Sequence, residues 1–193
     1  MAEFNKLSSE EERLLIEKAK TDKEAFGELY EIYFSQIFDY ILRRTANVDL
    51  TEDITSQVFM KVLENIQKYE WRGLPFSAWL YRIASNMLMT YYRQTKYIAP
   101  TNLDDIEFLI RDENSTQEEV MIEQEDYEER VAKYEKIRKA LFELKDEYAE
   151  IITLKYLEEK DNSEIAELLN ITEGNLRVKL FRAIRKIKNI IND

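Results

Sequence analysis

DNSEIAELLNITEGNLRVKLFRAIRKIKNII, residues 161–191, holds two helix starts and one sharp turn. Asp161 with Glu164 forms a capping box, in which each side chain satisfies an amide that a helix start leaves unpaired. The short helix that follows runs through Leu169. Asn170 fits a left-handed turn position, which Asn tolerates better than most residues. Thr172 caps a second helix, and the small Ala166 lets the two helices approach closely. The pattern is a helix-turn-helix, an arrangement whose second helix can enter the major groove of DNA.

The second helix has an apolar stripe of Leu176, Leu180, Ala183, Ile184, Ile187 and Ile191. Val178, Arg182 and Arg185 lie opposite, with Asn175 and Phe181 at the edges of that face. Arg177 and Lys179 flank the stripe, and Lys186 and Lys188 extend the charge. Arg can make paired hydrogen bonds to guanine edges, Val or Phe can pack on thymine methyls, and Lys supplies phosphate contacts that position without specifying. A solvated amphipathic helix with basic residues near its C-terminus is the plainer explanation of the same stripe.

Upstream, helical spacing runs through Ile137, Ala140, Leu141 and Leu144, then through Tyr148, Ile151, Ile152 and Leu157. Residues 99–135 differ: of the whole chain's net charge of -11, they carry -10. Apolar periodicity is poor there, and the stretch reads as a solvated linker, with helix expected only after Gln117. Residues 174–193 hold six basic groups and one acid, so an acidic whole still contains a locally basic helix suited to phosphates.

The N-terminal half predicts four helices. Residues 9–20 form a short one, with Ser9 and Glu12 as a capping box. A longer one carries Phe26, Leu29, Tyr30, Tyr33, Ile37, Tyr40 and Ile41 on one face. Asn47 to Leu50 reads as a turn, after which Thr51 caps a helix with Ile54, Val58, Val62 and Ile66 inside. Its polar face is Asp53, Gln57, Met60 and Glu64, for which plain solvation suffices when that face is taken alone. Trp71 to Pro75 is a loop, and a further helix runs to about Tyr97 with Phe76, Trp79, Leu80, Ile83 and Met87 in the core.

That last helix and the loop before it are rich in aromatics and cations. Arg82, Asn86, Met89 and Arg93 recur at helical spacing on a face away from the core stripe, with Trp71, Arg72 and Lys96 nearby. Aromatics beside cations suit unstacked bases, and Asn86 can read a base edge. Phe76 and Trp79 fall on the core stripe and read as packing.

Composition narrows the alternatives. The chain has 193 residues, only three Gly and two Pro, and 45% hydrophobic residues, which favours an all-helical fold with a packed core. With no Cys and no His, disulfides, thiolate nucleophiles, Ser-His-Asp triads and conventional zinc sites are excluded; no cofactor or metal is expected. No apolar run is long enough to span a bilayer, and the N-terminus lacks signal-peptide character, so a cytoplasmic protein without membrane insertion is expected.

The residues also resemble a known family. LLIEKAKTDKEAFGELYEIY, LTEDITSQVFMKVLENIQKYEW and FSAWLYRIASNMLMTYYRQTK are similar to the promoter-melting domain of bacterial RNA polymerase sigma factors of the extracytoplasmic-function (ECF) type. LFELKDEYAEIITLKYLEEKDNSEIAELLNITEGNLRVKLFRAIRKI is similar to their upstream-element-reading domain. Together the blocks cover roughly three quarters of the chain, in the family's order.

The resemblance implies two small helical domains joined by an acidic linker: region 2 over residues 1–98, the linker over 99–135, and region 4 over 136–193. It places Asp53, Gln57, Phe59, Met60, Lys61 and Glu64 on the face that docks on the clamp helices of the polymerase largest subunit. Trp71, Arg72, Arg82, Asn86, Met89, Arg93 and Lys96 fall where the minus-ten element is melted and a base captured. Asn175, Arg177, Val178, Lys179, Phe181, Arg182, Arg185 and Lys186 fall on the helix that reads the minus-thirty-five element. The implied partners are core RNA polymerase and promoter DNA, with an anti-sigma factor as a further candidate.

Lys145, Asn170 and Val178 stand where the family often has Pro, Gly and Ser. The acidic linker, through Asp104, Asp105, Glu107 and Asp112, is expected to act as an RNA mimic or as a plain tether. The competing function is a stand-alone helix-turn-helix regulator. An enzyme would need carboxylate-bound metal, for which the sequence offers no inward acidic cluster.

Overall fold

Helix α1 (Ser9–Ala19) starts from a capping box made by Ser8 and Glu11, one residue earlier than the expected Ser9 and Glu12. Both registers satisfy the local pattern, and burial decides between them: this one turns Glu12, Ile16 and Ala19 inward. The structure, a computed structural model, describes the backbone of residues 7–95 and 124–192 and the side chains of 7–94 and 131–191.

Helix α2 (Lys23–Thr45) buries Leu29, Tyr33, Ile37, Tyr40 and Ile41, as its periodicity requires, and ends at Ala46 in a left-handed conformation. The expected turn at Asn47 to Leu50 is instead the start of α3 (Val48–Asn65): Asn47 is the cap and accepts from the Leu50 amide at 2.8 Å. Thr51 is buried within the first turns of α3, its hydroxyl 2.7 Å from both the Thr45 hydroxyl and the Asn47 carbonyl. A side chain with two such partners ties α2 to α3 and is not available to cap. A 3-10 turn (Ile66–Lys68) and an irregular loop then lead to α4 (Phe76–Thr95). Gly73 takes a φ of 75° in that loop, a conformation most side chains avoid.

The second half comprises α5 (Gln124–Glu143), α6 (Asp146–Ile152) running into a π-helical turn (Thr153–Leu157), α7 (Asn162–Leu168) and α8 (Glu173–Asn192). The Asp161–Glu164 capping box, the left-handed Asn170 and the Thr172 cap all form as the sequence requires. Leu176, Leu180 and Ala183 are buried, whereas Ile191 at the C-terminal end of the stripe is exposed. Residues 124–135, the end of the acidic stretch, are helical, in line with the helix expected after Gln117; the acids Asp104, Asp105, Glu107 and Asp112 lie outside the described residues.

The two halves pack against each other through a shared core, with the Tyr92 and Phe142 rings 5.2 Å apart. The junction forms at the C-terminus of α2, where a helix leaves its last carbonyls unpaired. Tyr134 donates to the Arg43 carbonyl at 2.6 Å, Tyr92 to the Arg44 carbonyl at 2.9 Å, and Arg138 to the Thr45 carbonyl at 2.7 Å. Two of these three donors come from α5, so a helix end in one half is capped by side chains of the other.

Candidate nucleic-acid interface

Helix α8 presents the face that the sequence assigned to it. Asn175, Arg177, Val178, Phe181, Arg182, Arg185 and Lys186 are exposed, and Phe181 is 69% exposed. Val178, one turn away on the same face, is 48% exposed. Lys179 is half-buried and ion-paired with Glu147 of α6, and Lys186 sits over the Tyr148 ring. Arg177 pairs with Glu173 one turn back at 3.2 Å, an exposed contact that DNA can readily displace.

The loop before α4 opens a cavity of about 420 Å³. Arg72 and Arg82, both expected, line it together with Lys68, Tyr69 and Trp79. The Tyr69 and Trp79 rings lie 4.7 Å apart and form its aromatic floor. Burial, with the negative charge of Glu12 adding to it, pushes the Tyr69 hydroxyl up to about 12, so the ring stays neutral. Tyr69 and Trp79 were missed because helical periodicity puts Trp79 on the core stripe; in the fold it is only half-buried and shares the cavity. Trp71 packs against the core and does not line the cavity.

Along α4, Arg82, Asn86 and Arg93 are exposed as expected, and Lys96 lies outside the described residues. Met89 does not share their setting: it is 7% exposed and receives a contact from the Arg44 guanidinium at 3.4 Å. It sits at the margin of the buried arc beside Ser85 and Tyr92, where its flexible thioether covers a buried cation.

On α3, Asp53, Gln57, Met60, Lys61 and Glu64 are exposed. Phe59 is not: at 5% exposure it packs edge-on to Tyr30 with ring centroids 4.7 Å apart, and it supports the face from beneath. Leu63, absent from the expected set, is exposed beside Met60.

Carboxylates of α6 lie near the cations of α4, and one of them forms an ion pair. Arg93 pairs with Asp146 at 2.6 Å, and Arg82 shares a cleft of about 140 Å³ with Glu147 and Glu150. Burial pushes the Glu150 carboxyl up, opposed by the positive charges of Arg44 and Arg82. Thus α6 faces cations of α4 on one side and Lys179 of α8 on the other.

A helix-turn-helix with an exposed cationic and apolar reading face, joined to a second helical unit with a cationic aromatic cavity, defines a DNA-reading protein. The sigma-70 region 2 model matches residues 29–97, and the sigma-70 region 4 model matches residues 134–187. The chain is 29% identical over 177 residues to the ECF RNA polymerase sigma factor SigW of Bacillus subtilis (strain 168), covering 90% of this chain and 92% of that one. Its fold is similar to that of CnrH in complex with the cytosolic domain of CnrY, with a TM-score of 0.59 at 17% identity over 94% of this chain and 97% of the other. It is also similar to the sigma factor RpoE in complex with the anti-sigma factor NepR from Bartonella quintana, with a TM-score of 0.50 at 16% identity over 86% and 96%.

The chain belongs to the sigma-70 family and is a promoter-recognising sigma factor of the ECF type. A region 2 match beside region 4 sets aside a stand-alone helix-turn-helix regulator. No helix among the described residues is long and apolar enough to cross a membrane.

Proposed function

We propose that residues 1–98 and 136–193 act as separate promoter-reading modules, with 99–135 as the tether, and that each surface described above has one task. On α8, Arg177, Val178, Phe181 and Arg182 read the minus-thirty-five element, while Lys179, Arg185 and Lys186 hold phosphates. At the α4 cavity, Arg72 and Arg82 bind the backbone of melted minus-ten DNA, and a flipped base stacks on Tyr69 and Trp79. Unstacking a base is unfavourable by a few kcal/mol, and a pre-built aromatic cavity offsets that cost. The exposed face of α3, from Asp53 to Glu64 and including Met60 and Leu63, docks on the clamp helices of core polymerase. The chain has no catalysis of its own and works in the cytoplasm, where an anti-sigma factor can hold it inactive, as the NepR complex of a similar fold suggests.

The observation that carries this reading is the open face of α8, where Phe181 and Arg182 are exposed on the second helix of a helix-turn-helix. The packed arrangement of the halves adds a condition. Arg82 and Arg93 become free for DNA once core polymerase holds the modules apart, so the isolated chain binds promoters weakly and the holoenzyme binds them tightly.

Co-purification with core polymerase tests the docking face. Met60→Glu with Leu63→Glu should abolish recovery of the complex, since a charge buried at an interface without a partner is strongly unfavourable. Recovery equal to that of the unaltered chain would refute the docking assignment.

A further inference from the structure

Glu12 of α1 is a charged residue only 7% exposed. Its Oε1 accepts from the backbone amide of Phe76 at 3.1 Å and from the hydroxyl of Tyr33. Phe76 is the first residue of α4, so its amide belongs to the group that a helix start leaves without a partner. The loop cannot supply one locally: Gly73, Leu74 and Pro75 carry no side-chain acceptor. The acceptor comes instead from a helix 64 residues earlier in the chain.

What Glu12 holds is connected to the cavity. The Phe76 ring lies 5.5 Å from Tyr33 on one side, and 5.4 Å and 5.5 Å from Tyr69 and Trp79 on the other. Tyr69 and Trp79 are the cavity floor. Helix α1 lies outside the region 2 match, which begins at residue 29.

We propose that Glu12 is a positioning residue for base capture: it fixes the start of α4 and, through Phe76, the spacing and tilt of the Tyr69–Trp79 floor. This rests on the base-capture role of that cavity. A stacking site needs its rings held closely in register, since a small displacement forfeits much of the contact. Glu12 provides this from beneath without touching DNA. The identity of the side chain matters through its acceptor oxygen, so Gln can replace Glu while Ala cannot.

The test uses holoenzyme reconstituted with core polymerase. Two probes come from a promoter mapped with the unaltered chain: a single-stranded oligonucleotide spanning the minus-ten region and a duplex carrying the minus-thirty-five element. Glu12→Ala should weaken single-strand binding about tenfold, the scale set by leaving buried donors unpaired, and leave duplex binding unchanged. Glu12→Gln should stay within about twofold of the unaltered protein, because it keeps the acceptor. Single-strand binding that is unaffected by Glu12→Ala, or lost in parallel with duplex binding, would overturn the proposal.

If Glu12→Ala does not fold, Glu12→Gln and Tyr33→Phe decide. Gln should retain binding and Phe should weaken it about threefold, since one of two hydrogen bonds is lost. Equal loss in both, or no loss in either, would overturn the proposal. Arg72→Ala and Trp79→Ala probe the cavity itself. If they weaken single-strand binding and Glu12→Ala does not, only the role of Glu12 fails; if they too have no effect, base capture lies elsewhere.

Discussion

Helix α8 carries its reading face into solvent, while the cations of α4 meet carboxylates from the other half of the molecule. The two surfaces belong to one task but stand in different states. The face assigned to the minus-thirty-five element sits on a helix-turn-helix whose caps and turn are local, although α8 also packs on α5 and α6. The minus-ten surface depends on long-range contacts, both for its shape, through Glu12, and for its access, through α5 and α6. On the proposed assignment, recognition of duplex DNA needs only α8 to be in place, whereas capture of melted DNA is expected to need the halves to separate.

The largest expected effect concerns the junction. Arg138→Ala removes a buried guanidinium that serves the Thr45 carbonyl and Glu135. It should lower unfolding stability in urea by roughly 1–3 kcal/mol, since the buried Thr45 carbonyl loses this donor. It should also increase hydrogen exchange along α4 more than along α8. Equal exchange in both helices would break the contrast between them.

The next effect is a pH dependence. Burial pushes Glu158 up to about 7, with Asp39 adding to it and Arg43 and Lys160 opposing. Arg43 Nε lies 3.3 Å from Glu158 Oε1, but no donor is aligned with that oxygen, so the ion pair does not compensate for lost solvation. Between the ordinary value of 4.5 and about 7, the folded chain keeps a proton that the unfolded chain has released. Stability therefore falls as pH rises through that window, by about 3 kcal/mol at most. Burial also raises Asp39 and Glu150 at the same junction, and they act in the same direction. Urea midpoints at pH 5 and pH 8 should differ in the unaltered chain and differ less in Glu158→Gln, where Asp39 and Glu150 still contribute; the variant should be the more stable of the two at pH 8.

The open face gives a third test. Arg182→Ala should weaken holoenzyme discrimination of the minus-thirty-five element by about 1–3 kcal/mol while unfolding stability stays within about 0.5 kcal/mol, because the residue is exposed. The smallest effect is expected from Asp146→Asn. Its partner Arg93 is 70% exposed, so stability should change by about 0.2–1 kcal/mol, less in high salt.

The same contrast decides what could be read from the sequence. In the helix-turn-helix, Asp161, Glu164, Asn170 and Thr172 act within a few residues of themselves, and their roles follow from local chemistry. In the N-terminal half, local signals were ambiguous or overruled. Two capping registers were available to α1, and burial of Glu12 chose one. Thr51 has the side chain of a cap but is buried against Thr45. Phe59 and Met89 fall at helical positions near a solvent face, yet Tyr30 and Arg44 draw them inward. The cavity floor was hidden for the opposite reason: half-buried Trp79 follows the core period while giving part of its surface to the cavity. The packing of the halves depends on Tyr134 and Arg138 reaching the end of α2, a contact across more than 90 residues that no periodicity encodes.

The most direct test of the account is reconstituted transcription from a genomic promoter library, with core polymerase and either the unaltered chain or Arg182→Ala, mapped by sequencing the transcript starts. The unaltered chain should direct initiation at promoters that share both upstream and minus-ten elements, and the variant should relax the upstream preference while keeping the minus-ten preference. If core polymerase starts nowhere new with this chain, or if the variant loses both preferences together, the assignment of separate reading surfaces is wrong.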